Sequence, residues 1–135
     1  MVPLNEALQT AAASIPDCMA AGYIDLSTGM LLGIKSVESQ PTEVVELLAA
    51  ATADLFQGPN IRMIERVFKM ARGVKAHRHR YFQEIIINSD NLIHVFIRGQ
   101  NEEHVACFIC RRAVNLGMAL TKARSTMPAL DASLC

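Results

Sequence analysis

The segment that most constrains this chain is PTEVVELLAAATADLFQGPN, residues 41–60, a helix-forming stretch that is apolar on nearly every side. Pro41 suits the first helical position, where its missing N–H would have no partner in any case, and Gly58 and Pro59 end the pattern. At about 100° per residue, the polar side chains fall into one stripe that covers roughly a quarter of the circumference. The remaining surface must therefore be covered from more than one side.

Two apolar lobes flank this polar stripe, about a right angle apart. The first lobe is suited to docking on a sheet and comprises Val44, Leu47, Leu48, Ala51 and Leu55. The second lobe comprises Val45, Ala49, Thr52 and Phe56. Because one sheet cannot bury both, we expect the second lobe to lie either under the helix that follows or against another subunit, since large apolar patches on small proteins mark such contacts.

The composition favours a protein that forms oligomers and carries no overall net charge. The 135 residues are the size of one domain, which we predict to span 1–135, and 51% are hydrophobic while only 19% are charged. Thirteen basic residues balance thirteen acidic ones, so partner choice depends on local surface. Apolar runs fall far short of the roughly 20 residues of a membrane span, and the first residues do not resemble a signal peptide. A cytoplasmic location is predicted.

Periodicity predicts the order helix, two strands, one long or two short helices, three strands and helix. Strands that are apolar in both alternating registers require helices on both sheet faces. The second of the central helices is amphipathic, with a basic polar face. Pro128 is expected to end the last helix and to begin a short tail. The predicted segments are a helix at Leu4–Ile15, a hairpin at Cys18–Leu26 and Met30–Lys35, a helix ending at Gln57, a helix over about 60–73, a three-stranded meander from Tyr81 to Arg111, and a tail at 128–135.

A second feature also indicates self-association. If the strand Tyr81–Asn88 lies at the sheet edge, its uncharged EIII sequence offers a β-prone ladder to other chains. Pairing the strand with its own symmetry mate removes that hazard. The helix lobe and this strand together predict one isologous dimer interface, with Val45, Ala49, Thr52, Phe56, Glu84 and Ile86 as its candidate residues.

The hairpin AAGYIDLSTGMLLG and the Leu/Ala-rich helix that begins at Pro41 resemble the roadblock family of dynein light chains, including its bacterial branch. The resemblance implies an α/β (α+β) profilin-like fold, a five-stranded antiparallel sheet with the first and last helices on one face and the second helix on the other. It also implies dimers that pair the second helices and third strands. Family members are non-enzymatic modules, some regulating small Ras-like GTPases and others scaffolding larger assemblies. The segment Pro59–Arg80 is longer and more basic than the family pattern.

Chemical motifs are weak in this sequence. Cys107 and Cys110 of CFIC have metal-ligand spacing, but within a strand they point to opposite faces. The loop that contains Arg72, Lys75, Arg78 and Arg80 is either a solvated basic turn or a contact for phosphate or an acidic partner. No nucleophile or phosphate-loop motif is present, so we predict neither catalysis nor a cofactor. The scarcity of aromatic residues argues against nucleic-acid binding.

The alternative function is a sensor that binds a small ligand in a pocket under the inserted helix.

Overall fold

The computed structural model describes residues 2–37, 42–71 and 82–134, and for residues 42–45 the backbone alone. The helices of this part of the chain are α1 (Leu4–Ser14), α2 (Thr42–Gln57), α3 (Pro59–Ala71) and α4 (Leu116–Ala132). Its strands are β1 (Cys18–Asp25), β2 (Met30–Ser36), β3 (Glu84–Asn88), β4 (Leu92–Arg98) and β5 (His104–Arg111). The predicted order of elements is confirmed.

The five strands form one antiparallel sheet in the order β2-β1-β5-β4-β3. The tight β1–β2 connection follows from its sequence, because Asp25 accepts hydrogen bonds from the backbone N–H and the hydroxyl of Ser27 at 2.9 and 2.7 Å. Gly29 completes the turn with a φ of 71°, in the left-handed region that favours glycine. β1 and β5 are neighbours in the sheet, and β2 and β3 lie at its two edges, so the chain passes from one edge to the other between β2 and β3.

Each face of the sheet carries its own hydrophobic cluster. The cluster under α1 and α4 contains the buried side chains Leu8, Tyr23, Phe108 and Leu130. The cluster under α2 contains Leu26, Phe56, Phe96 and Val105. Burying both faces explains why the strands are apolar in both registers. The predicted profilin-like class, a five-stranded antiparallel sheet with helices on both faces, is confirmed.

The prediction that Pro128 ends the last helix and begins a tail was wrong. Pro128 lies inside α4, which continues to Ala132. Proline removes one helical hydrogen bond, but the turn beyond it is held by tertiary contacts. Leu130 is fully buried, and the Asp131 carboxylate accepts hydrogen bonds from the Tyr23 hydroxyl at 2.6 Å and the Gln100 N–H at 3.1 Å.

The joint between α2 and α3 is a brief interruption at Gly58. The Gly58 N–H still donates to the Asp54 carbonyl at 2.9 Å, and the Arg62 N–H donates to the Gly58 carbonyl at 3.0 Å. The end of α2 is anchored because the Gln57 side-chain amide donates to the carbonyl of Leu26, the residue after β1. The central segment therefore forms two helices, one of the two arrangements that the sequence left open.

Candidate interaction surface on the second and third helices

The second lobe of α2 lies against the chain's own sheet. Ala49, Thr52 and Phe56 are buried, and the Phe56 ring meets Phe96 edge-on with their centroids 6.2 Å apart. The Arg98 guanidinium lies 5.1 Å from the centre of the Phe56 ring, a cation–π distance. The prediction that these three α2 residues face a second subunit or the following helix was wrong. The fourth member, Val45, has a side chain outside the described residues.

The physical reason for this orientation lies in the residues of the buried lobe. Phe56 is the one aromatic residue of α2, and its ring packs against Phe96. The Thr52 hydroxyl can be buried because it donates to the Leu48 carbonyl at 2.7 Å. Both lobes are hydrophobic, so hydrophobicity alone does not distinguish them.

The first lobe is consequently the outward one. Leu47 is 70% exposed, and Leu48, Ala51 and Leu55 are also exposed. These side chains lie along one side of α2, which we call the outward face of α2. A row of exposed leucines on one helix is characteristic of a surface that another molecule covers.

The third helix also turns an apolar side outward. It contacts the rest of the protein through the stripe that holds Glu65, which is only 4% exposed. Met63, Val67 and Met70 lie roughly opposite and are 59%, 57% and 74% exposed. A depression on α3 is lined by Asn60, Met63, Ile64, Val67 and Phe68, all of them residues of α3 itself. The apolar side of this helix is therefore presented to the surroundings.

Strand β3 lies at the edge of the sheet with β4 as its neighbour, which meets the condition for the predicted strand pairing. Ile85 and Ile87 pack towards the cluster under α2, whereas Ile86 is exposed. Glu84 has a partner within its own chain, because the Arg124 guanidinium of α4 donates to both carboxylate oxygens at 2.8 and 2.7 Å. The assignment of Glu84 and Ile86 to a dimer interface stays a prediction.

The Glu84 to Gln substitution is expected to lower the melting temperature at neutral pH but not in strong acid. Hydrogen bonds from Arg124 lower the pKa of Glu84 in the folded protein. A lowered folded-state pKa means that the stabilisation is present above the ordinary carboxyl pKa and is lost as pH falls through the lowered value. Thermal unfolding followed from about pH 7 to about pH 2 measures this.

The matched control is Asp54→Asn, which neutralises an exposed acid on α2. It should change the melting temperature at pH 7 by less than Glu84→Gln does. A Glu84→Gln variant as stable as the wild type at pH 7 would show that the pair with Arg124 does not stabilise the fold.

The cysteines do not form a metal site in the described part of the chain. Cys107 points towards the α2 side and Cys110 into the opposite cluster, which confirms that the two residues of CFIC face apart. Burial raises the pKa of Cys107 to about 12, which keeps it a neutral thiol. Cys110 instead lies beside Cys18 on β1, and a hydrogen bond with Cys110 lowers the pKa of the Cys18 thiol. Among the described residues, no group of three or more His, Cys, Asp or Glu could hold a metal ion.

A cavity of about 40 Å³ lies between α2 and the sheet, lined by side chains that include Ile34, His94 and Ile109. Burial here lowers the pKa of His94. Pockets for drug-sized ligands are about 300–1,000 Å³, so this space is too small for such a ligand. It lies under α2 and not under the inserted helix, where the sensor alternative placed its pocket.

The candidate basic loop of Arg72, Lys75, Arg78 and Arg80 lies outside the described residues. No helix in the described ranges has the length and apolarity needed to span a lipid bilayer.

Comparison with known proteins identifies the fold. No protein-family model and no curated protein matches the sequence. Among solved structures, MglB of Myxococcus xanthus is similar with a TM-score of 0.72 at 12% identity, covering 97% of this chain and 94% of that one. A Roadblock/LC7 domain from Streptomyces avermitilis gives 0.70 at 9% identity, covering 98% of both chains. Profilin II of Acanthamoeba castellanii gives 0.58 at 10% identity, covering 98% of this chain and 99% of that one.

The class that this architecture defines is the profilin-like α/β fold. Within that class the chain has the fold of Roadblock/LC7 domains, with MglB among its structural neighbours. The expected fold is confirmed over nearly the whole chain.

Proposed function

We propose that this protein is a non-enzymatic, cytoplasmic regulatory module that forms a homodimer and binds a protein of the small Ras-like GTPase class. The observation that carries the proposal is the outward face of α2, a row of exposed leucines on a fold shared with Roadblock/LC7 domains. Covering that face with its own copy removes apolar surface from water, and closed two-fold dimers are the commonest soluble assembly.

The proposed interface differs from the one that the sequence predicted. It uses Leu47, Leu48 and Leu55 of α2 in place of the buried lobe of Ala49, Thr52 and Phe56. It keeps the edge of β3, where the exposed Ile86 would be covered by a paired strand. Antiparallel pairing of β3 with its symmetry mate would satisfy the outer backbone groups of both edge strands.

The test of self-association is the Leu47→Glu variant. A charge at this 70% exposed position leaves the monomer folded but places an unpaired carboxylate in the proposed interface. The wild type should sediment at twice the chain mass of 14.8 kDa, and Leu47→Glu should raise the dissociation constant by about tenfold or more. Sedimentation equilibrium at several concentrations measures both.

The control is Met118→Glu, the same kind of change at an exposed residue on α4, on the other side of the sheet. It should leave the mass unchanged. A monomeric wild type, or a Leu47→Glu variant that dimerises as the wild type does, would contradict the homodimer.

The regulatory role is tested with a Ras-like GTPase from the same genome. A regulator of this kind contributes by positioning the GTPase's own catalytic groups, so no catalytic residue is required in this chain. We expect single-turnover GTP hydrolysis to accelerate when the dimer is added in excess, and Leu47→Glu to weaken that effect. An unchanged rate together with no comigration on a sizing column would contradict a GTPase partner.

A further inference from the structure

The third helix combines exposed apolar and basic side chains in a chain whose overall charge is zero. Within 59–71 the basic residues are Arg62, Arg66 and Lys69, and the sole acidic residue is Glu65. Glu65 is 4% exposed, whereas Arg62 and Arg66 are exposed. The charge that α3 presents to the surroundings is therefore positive, although thirteen acidic residues balance thirteen basic ones over the chain.

These side chains are segregated around the helix. At about 100° per residue, the apolar residues occupy roughly half of the circumference, with Val67 near the middle and Met63 and Met70 beside it. Arg66 borders this apolar half on one side, with Arg62 next to it. Glu65 lies in the polar half, on the side that faces the rest of the protein. Consequently the apolar ridge points outward with Arg66 at its border. Arg62 lies next to Arg66, and its guanidinium also donates to the carbonyl and side-chain oxygens of Gln57 at 3.2 and 3.5 Å.

We infer that α3 binds the surface of a membrane that contains anionic lipids, lying in the interface and not across it. Met63, Val67 and Met70 would enter the boundary between headgroups and acyl chains, and Arg62 and Arg66 would contact lipid phosphates. A strongly segregated helix with low net hydrophobicity and Lys or Arg beside its apolar side is typical of such interfacial binding. This inference is independent of the proposed dimer and its partner.

Charge decides between a membrane and a second copy of α3. Two-fold pairing of α3 with itself would bring Arg62 and Arg66 of both copies towards one apolar contact, and like charges in a desolvated interface are unfavourable. An anionic lipid surface instead supplies phosphates for the arginines and a fluid apolar layer for the ridge. It requires no shaped pocket, because the flexible side chains of Met63 and Met70 adapt to a fluid layer.

The first experiment is vesicle flotation of the full chain. The lipids are phosphatidylcholine alone and a mixture with about 30% phosphatidylglycerol. We expect binding to the anionic vesicles that falls at least about fivefold between about 50 and 500 mM salt. Val67→Glu, a substitution at a 57% exposed position, should reduce binding about tenfold or more, while Met118→Glu on α4 retains it.

A second readout does not depend on loss of binding. The chain has no tryptophan, so Met70→Trp introduces a single fluorescent reporter on the ridge. Its emission should shift to shorter wavelength when anionic vesicles are added, because the ring enters a less polar layer. Met118→Trp, placed on α4, should show no shift.

The outcomes separate this inference from the proposed function. Leu47→Glu should still float with anionic vesicles even if it no longer dimerises. Wild-type protein that does not float, or Val67→Glu that floats equally well, would overturn the membrane inference. If Val67→Glu instead abolishes self-association and the wild type does not bind vesicles, α3 is an interface between protein chains, and the inference is equally overturned.

Discussion

Replacing Phe56 by Ala is expected to lower the free energy of unfolding by about 3–5 kcal/mol, the usual loss for truncating a fully buried aromatic side chain. Phe56 lies on the side of α2 that faces the sheet and is completely buried, with its ring against Phe96 and the Arg98 guanidinium. Truncation would leave a cavity and remove one side of the cation–π contact. Urea denaturation at one fixed protein concentration measures the change.

The matched control is Phe68→Ala, which removes the same side chain from a partly exposed position on α3. Its loss should be smaller by about 2 kcal/mol or more. Equal losses for the two variants would show that α2 does not seat Phe56 against the sheet. The orientation of the outward face of α2 would then also be wrong.

Replacing Leu130 by Ala is expected to lower the free energy of unfolding by about 2–5 kcal/mol. Leu130 lies beyond Pro128 but is fully buried in the cluster under α1 and α4. The substitution tests whether the helix continues through the proline with its last turn packed on the core. Chemical denaturation monitored by circular dichroism measures the change.

Leu134→Ala is the control for this prediction, because Leu134 follows the end of α4 and is exposed. It should change stability by less than about 1 kcal/mol. If Leu130→Ala were as mild, the segment after Pro128 would contribute little to the core, as the sequence-based expectation of a tail implied.

The sequence was sufficient for the order of elements and for the covering of both sheet faces by helices, because these follow from periodicity and turn residues. The edge position of β3 entered only as a condition. It was insufficient for the orientation of α2. Both lobes are apolar, and the choice depends on which of them packs against the sheet, where Phe56 meets Phe96, a property of tertiary packing and not of hydrophobicity. Likewise, α4 continues past Pro128 because Leu130 and Asp131 make tertiary contacts, which the local sequence does not indicate.

The sequence placed the candidate surface on one lobe of α2, and the structure buries that lobe and exposes the other. For α3, the sequence showed an amphipathic helix, and amphipathicity ordinarily means that the apolar side faces the core. Here Glu65 lies on the buried side, and nothing local in the sequence indicates that reversal. The exposed α3 ridge was therefore found only through the structure.

The interruption at Gly58 separates α3 from the part of the chain that forms the two hydrophobic clusters. The anchor between Gln57 and the Leu26 carbonyl holds α2 in place, and neither hydrophobic cluster of the described residues includes a residue of α3. Segments that lie outside a hydrophobic core tolerate changes of length and sequence, because few of their side chains pack against core residues. We therefore expect changes in the sequence of α3 to disturb the sheet and its flanking helices less than changes in either cluster.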